Sequence, residues 1–495
     1  MKSSFPLLSV IVLMYAFIAC RISANKKDQS PISLPNIIYI YADDLGYGEL
    51  GSYGQIKIKT PHLDRMAAEG MRFTQHYTST PVCAPARAML LTGLHGGHSF
   101  IRGNHELGGF ADTAERGQYP LPKAAITIAD VLQSKGYSTA IIGKWGLGMA
   151  NTEGNPQLHG FDYSYGYLDQ KQAHNYYPSH LWENGKWDTL DQPYFYVHRK
   201  LSPDSATDEA FASFIGKDYA PDKMTEKAEQ FIREKKSGPF FLYLPYTIPH
   251  ASLQVPEKWV NVYKGQFEEQ PYYGQQGYTP SKYPLSTYSG MISYLDEQVG
   301  KIMKLVKELG LEDNTLICFS SDNGATFNGG VDARFFNSAA GFRGLKMDLY
   351  EGGIRMPFIA RWPGKIEAGT VSDHVSVQYD LMATLADLTG ATAPPNDGVS
   401  FLPTLLGNAK NQQQHEFLYF EYPEKGGQRA IRYGNWKGVK TGLKENLTTP
   451  WQLYDLSKDP VETTDLASKY PDLLKIFDTI VARERQDSPL ASWNF

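Results

Sequence analysis

The stretch Asn36-Ile37-Ile38-Tyr39-Ile40-Tyr41-Ala42-Asp43-Asp44-Leu45-Gly46 decides how the rest of the chain is read. Ile37–Tyr41 is a short apolar run of β-branched and aromatic residues, the pattern of a buried strand, and it ends in two adjacent carboxylates. Similar runs follow at Thr139–Ile142, Phe240–Leu244, Thr315–Phe319 and Pro357–Ala360. Helix patterns separate them at Leu63–Glu69, Arg87–Thr92, Thr127–Lys135 and Tyr288–Leu309. The last has Met291, Leu295, Val299, Ile302, Val306 and Leu309 on one stripe at helical spacing, and Gly310 stops it. Such alternation predicts an α/β fold with a mostly parallel central sheet flanked by helices.

Open parallel sheets carry their sites at the carboxyl ends of the strands. The chemistry-bearing residues fall there. Asp43 and Asp44 follow the first run, Gly143-Lys144-Trp145 the second, Pro249-His250 the third and Asp322-Asn323 the fourth. Asp43, Asp44, Asp322 and Asn323 are hard oxygen donors without a His or Cys cluster beside them. That set suits Ca²⁺ or Mg²⁺ better than Zn²⁺.

Composition narrows the class. Of 495 residues, 42% are hydrophobic and 20% charged, which excludes intrinsic disorder and disulfide-stapled miniproteins. The net charge of −5 gives no basic field for nucleic acid, so nucleic acid is not expected as a partner. Three cysteines make no even disulfide framework. Cys318 sits in a buried-strand pattern and reads as packing. Residues 1–20 read as an export signal, and Phe17-Ile18-Ala19-Cys20 resembles a bacterial lipoprotein cleavage box. Cys20 would then carry the lipid, residues 21–34 would be a polar tether, and that anchor would be the only membrane contact. The expected location is the periplasm or outer membrane of a Gram-negative bacterium.

Cys83 is a free thiol in an exported chain, placed just before a helical stretch whose first N–H groups favour an anion. Arg87 follows one turn on. With Lys144, His250 and Lys346, the sequence offers a nucleophile, a cation site and positive groups for a tetrahedral oxyanion ester.

Cys83-Ala84-Pro85-Ala86-Arg87 followed by Leu91-Thr92-Gly93 resembles the formylglycine signature of type I sulfatases, in the alkaline phosphatase-like superfamily. Gly143-Lys144-Trp145, Pro249-His250, Ser321-Asp322-Asn323-Gly324, Gly344-Leu345-Lys346 and Tyr350–Pro357 match in the family's order. The resemblance implies an alkaline phosphatase-like fold, with a sulfatase catalytic domain at 35–370 and a C-terminal α+β subdomain with a small antiparallel sheet at 371–495. It implies a maturation enzyme that oxidises Cys83 to formylglycine, whose hydrate attacks sulfur. It assigns one Ca²⁺ to Asp43, Asp44, Asp322 and Asn323 with residue 83 facing it. It further assigns support of the formylglycine to Arg87, sulfate binding to Lys144 and Lys346, and leaving-group protonation to His250. The activity implied is hydrolysis of sulfate esters on a sulfated glycan, exo-acting on a terminal sugar.

One position departs from the family. Gly146 stands where a histidine is usual, and His174 is the candidate substitute or substrate-subsite residue. Arg102, Asn104 and Arg334 are further candidates for substrate contact. Two rival readings are a phosphate or phosphonate ester hydrolase of the same superfamily, and a glycan-binding lipoprotein without catalysis.

Overall fold

The computed structural model describes residue 1 and residues 34–109, 114–192 and 194–495. The expected signal, the tether and Cys20 lie outside the described residues, apart from Met1 and Leu34. Residues Pro35–Phe495 form one compact unit.

Eleven strands build the large sheet. In chain order they are β1 (Asn36–Asp43), β2 (Met71–Tyr77), β3 (Ser138–Lys144), β4 (Tyr163–Tyr167), β5 (His180–Glu183), β6 (Lys186–Thr189), β7 (Phe240–Pro249), β8 (Thr315–Ser321), β9 (Arg355–Arg361), β10 (Thr370–Ser372) and β11 (Ser376–Val377). Their spatial order is β10-β2-β9-β8-β1-β7-β3-β4-β5-β6, with β11 also on β2. The centre, β8-β1-β7-β3-β4, is parallel throughout. All eight residues of β1 are buried. A central parallel strand is covered on both faces, so it reads as a continuous apolar run rather than an alternation.

Register brings the site together. Ala42 pairs with Ser321 of β8, and Asp43 pairs with Pro249 of β7. Asp43, His250 and Asp322 therefore emerge side by side from three adjacent strand ends. Lys144 is the last residue of β3, the next strand along.

Helices cover the sheet. They include α1 (Pro61–Ala68), α2 (Cys83–Thr92), α3 (Ile128–Gln133), α4 (Ala220–Lys235), α5 (Pro284–Glu308), α6 (Asp380–Thr389) and α7 (Pro471–Glu484). The stripe expected on α5 is buried from Met291 to Val306. Asp296 on this helix accepts the backbone N–H groups of His62 and Leu63 at 3.1 and 2.7 Å, satisfying the open start of α1.

One expectation changes. The segment from 151 to 236 reads in sequence as long loops, yet it holds β4, β5, β6 and the 16-residue α4. Met224, Ala228, Phe231 and Ile232 give α4 its buried face at helical spacing. Its high charge hides that stripe. The β5–β6 hairpin turns at Asn184-Gly185, both with positive φ, which is the sequence pair that favours such turns. β10 and β11 lie in the large sheet on β2, and the second sheet starts at β12 (Leu418–Tyr422). It continues through β13 (Gln428–Tyr433), β14 (Trp436–Thr441) and β15 (Gln452–Asp455), antiparallel throughout. Phe477 and Ile480 of α7 pack with Tyr419, Ile431, Trp451 and Leu453 of this sheet and its flank.

The β3–β4 pair is unusually close beside Lys144. Gly143 faces Gly166, and a Cβ on Gly166, at φ 128°, would stand 2.1 Å from the Gly143 carbonyl oxygen. Gly166→Ala is expected to destabilise the protein by at least about 2 kcal/mol, read as a lowered denaturant midpoint with an unchanged slope.

Candidate active site

The site lies at the carboxyl ends of β1, β3, β7 and β8, against the start of α2. Asp44 turns the chain sharply out of β1 at φ 64°, a conformation Asp tolerates better than most residues. Its backbone N–H donates to Asp322 Oδ1 at 3.0 Å, and Asn323 Nδ2 donates to its Oδ1 at 2.6 Å. Gly46 N–H donates to Glu49 Oε2 at 2.7 Å, pinning the turn.

Cys83 is the first residue of α2 and is buried, with Sγ 3.2 Å from Asp43 Oδ1 and 3.7 Å from Lys346 Nζ. The residue before it, Val82, has no side chain to cap the helix. Asn104 Oδ1 instead accepts the Ala84 N–H at 3.0 Å. Arg87, one turn on, is completely buried. Its guanidinium donates to Asp322 Oδ2 at 2.9 Å and to the Lys144 carbonyl at 3.0 Å, and it lies 3.4 Å from Asp43 Oδ2. It thus ties three strand ends to the nucleophile helix.

Lys144 Nζ sits 2.7 Å from Asp43 Oδ2, and Lys346 Nζ 2.8 Å from Asp44 Oδ2. Lys346 is the more open of the two, its side chain 12% exposed against 1%. His250 Nε2 lies 3.6 Å from Asp44 Oδ2, and its Nδ1 donates to the Ala251 carbonyl.

Burial works against every charge here. It pushes Asp322 up to about 7 and the Cys83 thiol well above its ordinary range. Burial also opposes ionisation of Asp43, yet Lys144, His250, Arg87 and Lys346 together hold that carboxyl well below the usual range. Burial, and then Lys346, push His250 down to about 4, so it is neutral near pH 7. Burial and then His250 likewise depress His174.

The donors fit a hard divalent cation. Three buried carboxylates converge, and the buried Oδ1 of Asn323 has no hydrogen-bond partner among the described residues. Asp43, Asp44, Cys83 and His250 place ligand-type atoms within 4.8 Å of one another.

The sulfatase family model matches residues 35–391, and a model described as N-sulphoglucosamine sulphohydrolase, C-terminal, matches 345–485. The chain belongs to the sulfatase family. It is 31% identical to N-acetylgalactosamine-6-O-sulfatase of Bacteroides thetaiotaomicron, over 95% of this chain and 96% of that one. It is 34% identical to arylsulfatase A of Bos taurus, over 88% and 83%. The solved structure of Ps i-CgsB in complex with k-i-k-neocarrahexaose superposes with a TM-score of 0.74 at 27% identity, covering 92% of this chain and 94% of that one. The protein is a sulfuric ester hydrolase with the alkaline phosphatase-like fold.

The structure gathers Asp43, Asp44, Cys83, Arg87, Lys144, His250, Asp322, Asn323 and Lys346 of this sulfatase into one centre. His174 stands beside it, its ring stacked on His250 with centroids 5.0 Å apart. The space that a side chain at Gly146 would enter is taken by Gln170, whose Cγ would stand 2.7 Å from a Cβ there. Gln170, rather than another histidine, fills that place. Its Nε2 lies 3.4 Å from Asn104 Oδ1.

Arg102 and Asn104 both have partners within the protein. Arg102 is 2% exposed and donates to the carbonyls of Ser99, Gly97 and Gln486, beside Glu421, so it joins the nucleophile region to the C-terminal sheet. Asn104 serves the helix start through Ala84. Arg334 is exposed on a cavity of about 520 Å³ that Gly344 and Leu345 also line, next to Lys346. A groove of about 850 Å³, lined by Arg65, Lys301, Lys304 and Arg361 at the other end of the sheet, holds none of these groups.

His95, His98 and Glu484 form a second cluster. Gly97 N–H donates to His95 Nδ1 at 3.0 Å, which leaves the neutral ring's proton on Nε2, 3.5 Å from Glu484. His98 Nδ1 bonds Asp397 at 2.9 Å. The arrangement ties the loop after α2 to the end of α7.

Glu49 escaped the sequence reading because a lone Glu two residues past a turn carries no motif. It also accepts the Tyr288 and Ser338 hydroxyls, each at 2.6 Å, and burial pushes it up to about 7. A carboxyl raised in the folded state binds its proton more tightly there, so stability falls as pH rises from about 4.3 toward 7, by about 1.4 kcal/mol per unit. Glu49→Gln is expected to abolish that slope. Its stability relative to the parent should climb through this window and level off above pH 7 in denaturant titrations.

Proposed function

We propose that this sulfatase releases sulfate from a sulfated carbohydrate, acting on a terminal sugar, with Cys83 matured to formylglycine and one Ca²⁺ held by Asp43, Asp44, Asp322 and Asn323. The observation that carries the reading is the position of residue 83. It sits at a helix start, in contact with both a carboxylate of the oxygen cluster and Lys346. The N-acetylgalactosamine-6-O-sulfatase relative supports the carbohydrate class, and the ring-lined mouth formed by His174 and Tyr278 supports a pocket for one sugar. The lipoprotein-like start supports export to a Gram-negative periplasm or outer membrane.

As encoded, Cys83 is a buried, protonated thiol and a poor nucleophile. Formylglycine supplies a hydrated aldehyde in its place, and the cation supplies charge stabilisation next to it. The chain's own residues do the rest. Lys144 and Lys346 face the residue at 83 from either side of Asp43 and Asp44, where they neutralise the oxygens of a bound sulfate ester. Arg87, bound to Asp322 and beside Asp43 through its terminal guanidinium nitrogens, holds the carboxylates in place. Donation by His250 Nδ1 to the Ala251 carbonyl leaves the unprotonated Nε2 of the neutral ring facing the site, where it would take a proton from the hydrated aldehyde as that attacks sulfur and pass the same proton to the leaving oxygen.

The test uses protein whose Cys83 peptide shows the thiol-to-aldehyde mass change. Free sulfate is measured from a panel of sulfated mono- and oligosaccharides. Release from the parent is expected, with a loss of at least about 10³-fold in Cys83→Ala, abolition by chelator and recovery with Ca²⁺. Undiminished release from Cys83→Ala would overturn the nucleophile. Recovery with Zn²⁺ but not Ca²⁺ would overturn the ion.

A further inference from the structure

Beside the charged centre stands a wall of four rings, His174, His198, Tyr278 and His250. His174 lies nearly flat on His250, at 12° and 5.0 Å between centroids, and Tyr278 meets it edge-on at 5.0 Å. The hydrogen bonds in this wall decide where the ring protons sit. Tyr278, at φ 64°, donates its backbone N–H to His198 Nδ1 at 3.1 Å. A backbone N–H can only donate, so Nδ1 is an acceptor and the neutral His198 ring carries its proton on Nε2. That nitrogen faces His174 Nδ1 at 3.5 Å. His174 Nδ1 is thereby an acceptor too, and the proton of the neutral His174 ring sits on Nε2. His174 Nε2 makes no hydrogen bond among the described residues, and the ring is half-buried at the mouth of the site.

We propose that His198 fixes the tautomer of His174, so that His174 offers Nε2–H to an uncharged oxygen of the bound sugar. The inference rests on the carbohydrate reading above. The floor of the site already supplies Lys144 and Lys346 for the charged sulfate, whereas a neutral donor flanked by the Tyr278 ring suits a hydroxyl or ring oxygen. His174 then discriminates among sugars, and His198 is its positioning residue. A ring whose partner holds one nitrogen presents the other at no cost in proton rearrangement when the sugar arrives.

The first readout needs no substrate. In the full chain labelled with ¹⁵N-histidine, the ring signals lost in His174→Ala identify His174. They are expected to show the Nε2–H tautomer in the parent and in His198→Gln, which keeps an N–H donor toward Nδ1, but not in His198→Phe. The second readout compares N-acetylgalactosamine 6-sulfate with 4-nitrophenyl sulfate. Loss of one hydrogen bond predicts a KM for the sugar raised about five- to tenfold in His174→Ala and His198→Phe, with little change in His198→Gln. The aryl ester, which lacks the sugar, should keep its kcat/KM within about twofold in His198→Phe and His198→Gln. An Nδ1–H tautomer in the parent, equal losses on both esters, or a His198→Gln variant that behaves like His198→Phe would overturn the proposal. If the matured parent releases sulfate from neither ester, the sulfate-ester reading is at fault, and the ring spectrum still decides the tautomer.

Discussion

Asp43, Asp44 and Asp322 stand together with almost no access to water, and that crowding constrains everything around them. Three carboxylates in one buried place repel one another and lose their hydration. The chain answers with Arg87, Lys144 and Lys346, each from a different element, and each bound to at least one of the three. The parallel register of β1, β7 and β8 is what makes the convergence possible, because it delivers the strand ends level with one another. Removing one member would leave its partner charged and buried, which costs more than the pair contributes. The centre is therefore poised rather than relaxed. A divalent cation would satisfy the oxygens, including the orphaned Asn323 Oδ1, and release the lysines toward an anionic substrate.

Much of this was legible in the sequence because strands buried on both faces leave an unmistakable trace. Ile37–Tyr41, Phe240–Leu244 and Thr315–Phe319 read as apolar runs, and the residue types just past them named the chemistry. What was hidden lay where the pattern is weak or the partner is distant. The stripe Met224, Ala228, Phe231, Ile232 was masked by the charged residues of the opposite face of α4. The burial of Arg102 was hidden because an arginine in a loop has no sequence mark for it; its partners, Glu421 and Gln486, lie more than three hundred residues away. Gln170 could not be matched with Gly146 without coordinates, since only their proximity shows that one fills the space the other leaves. His198 and Tyr278 meet through a backbone N–H, which no side-chain pattern records.

The nucleophile region and the end of the chain are also joined. Arg102 reaches the Gln486 carbonyl, and His95 and His98 face Glu484, while Cys83 itself is only 2% exposed. The loop that follows the Cys83 helix is thus tied down in part by residues that leave the ribosome about 400 positions after Cys83. At about 5–20 residues per second, that delay is on the order of 20–80 s. Any enzyme that must work on the Cys83 side chain has that interval of synthesis in which to find an unfinished fold, and meets a side chain only 2% exposed once the fold is complete.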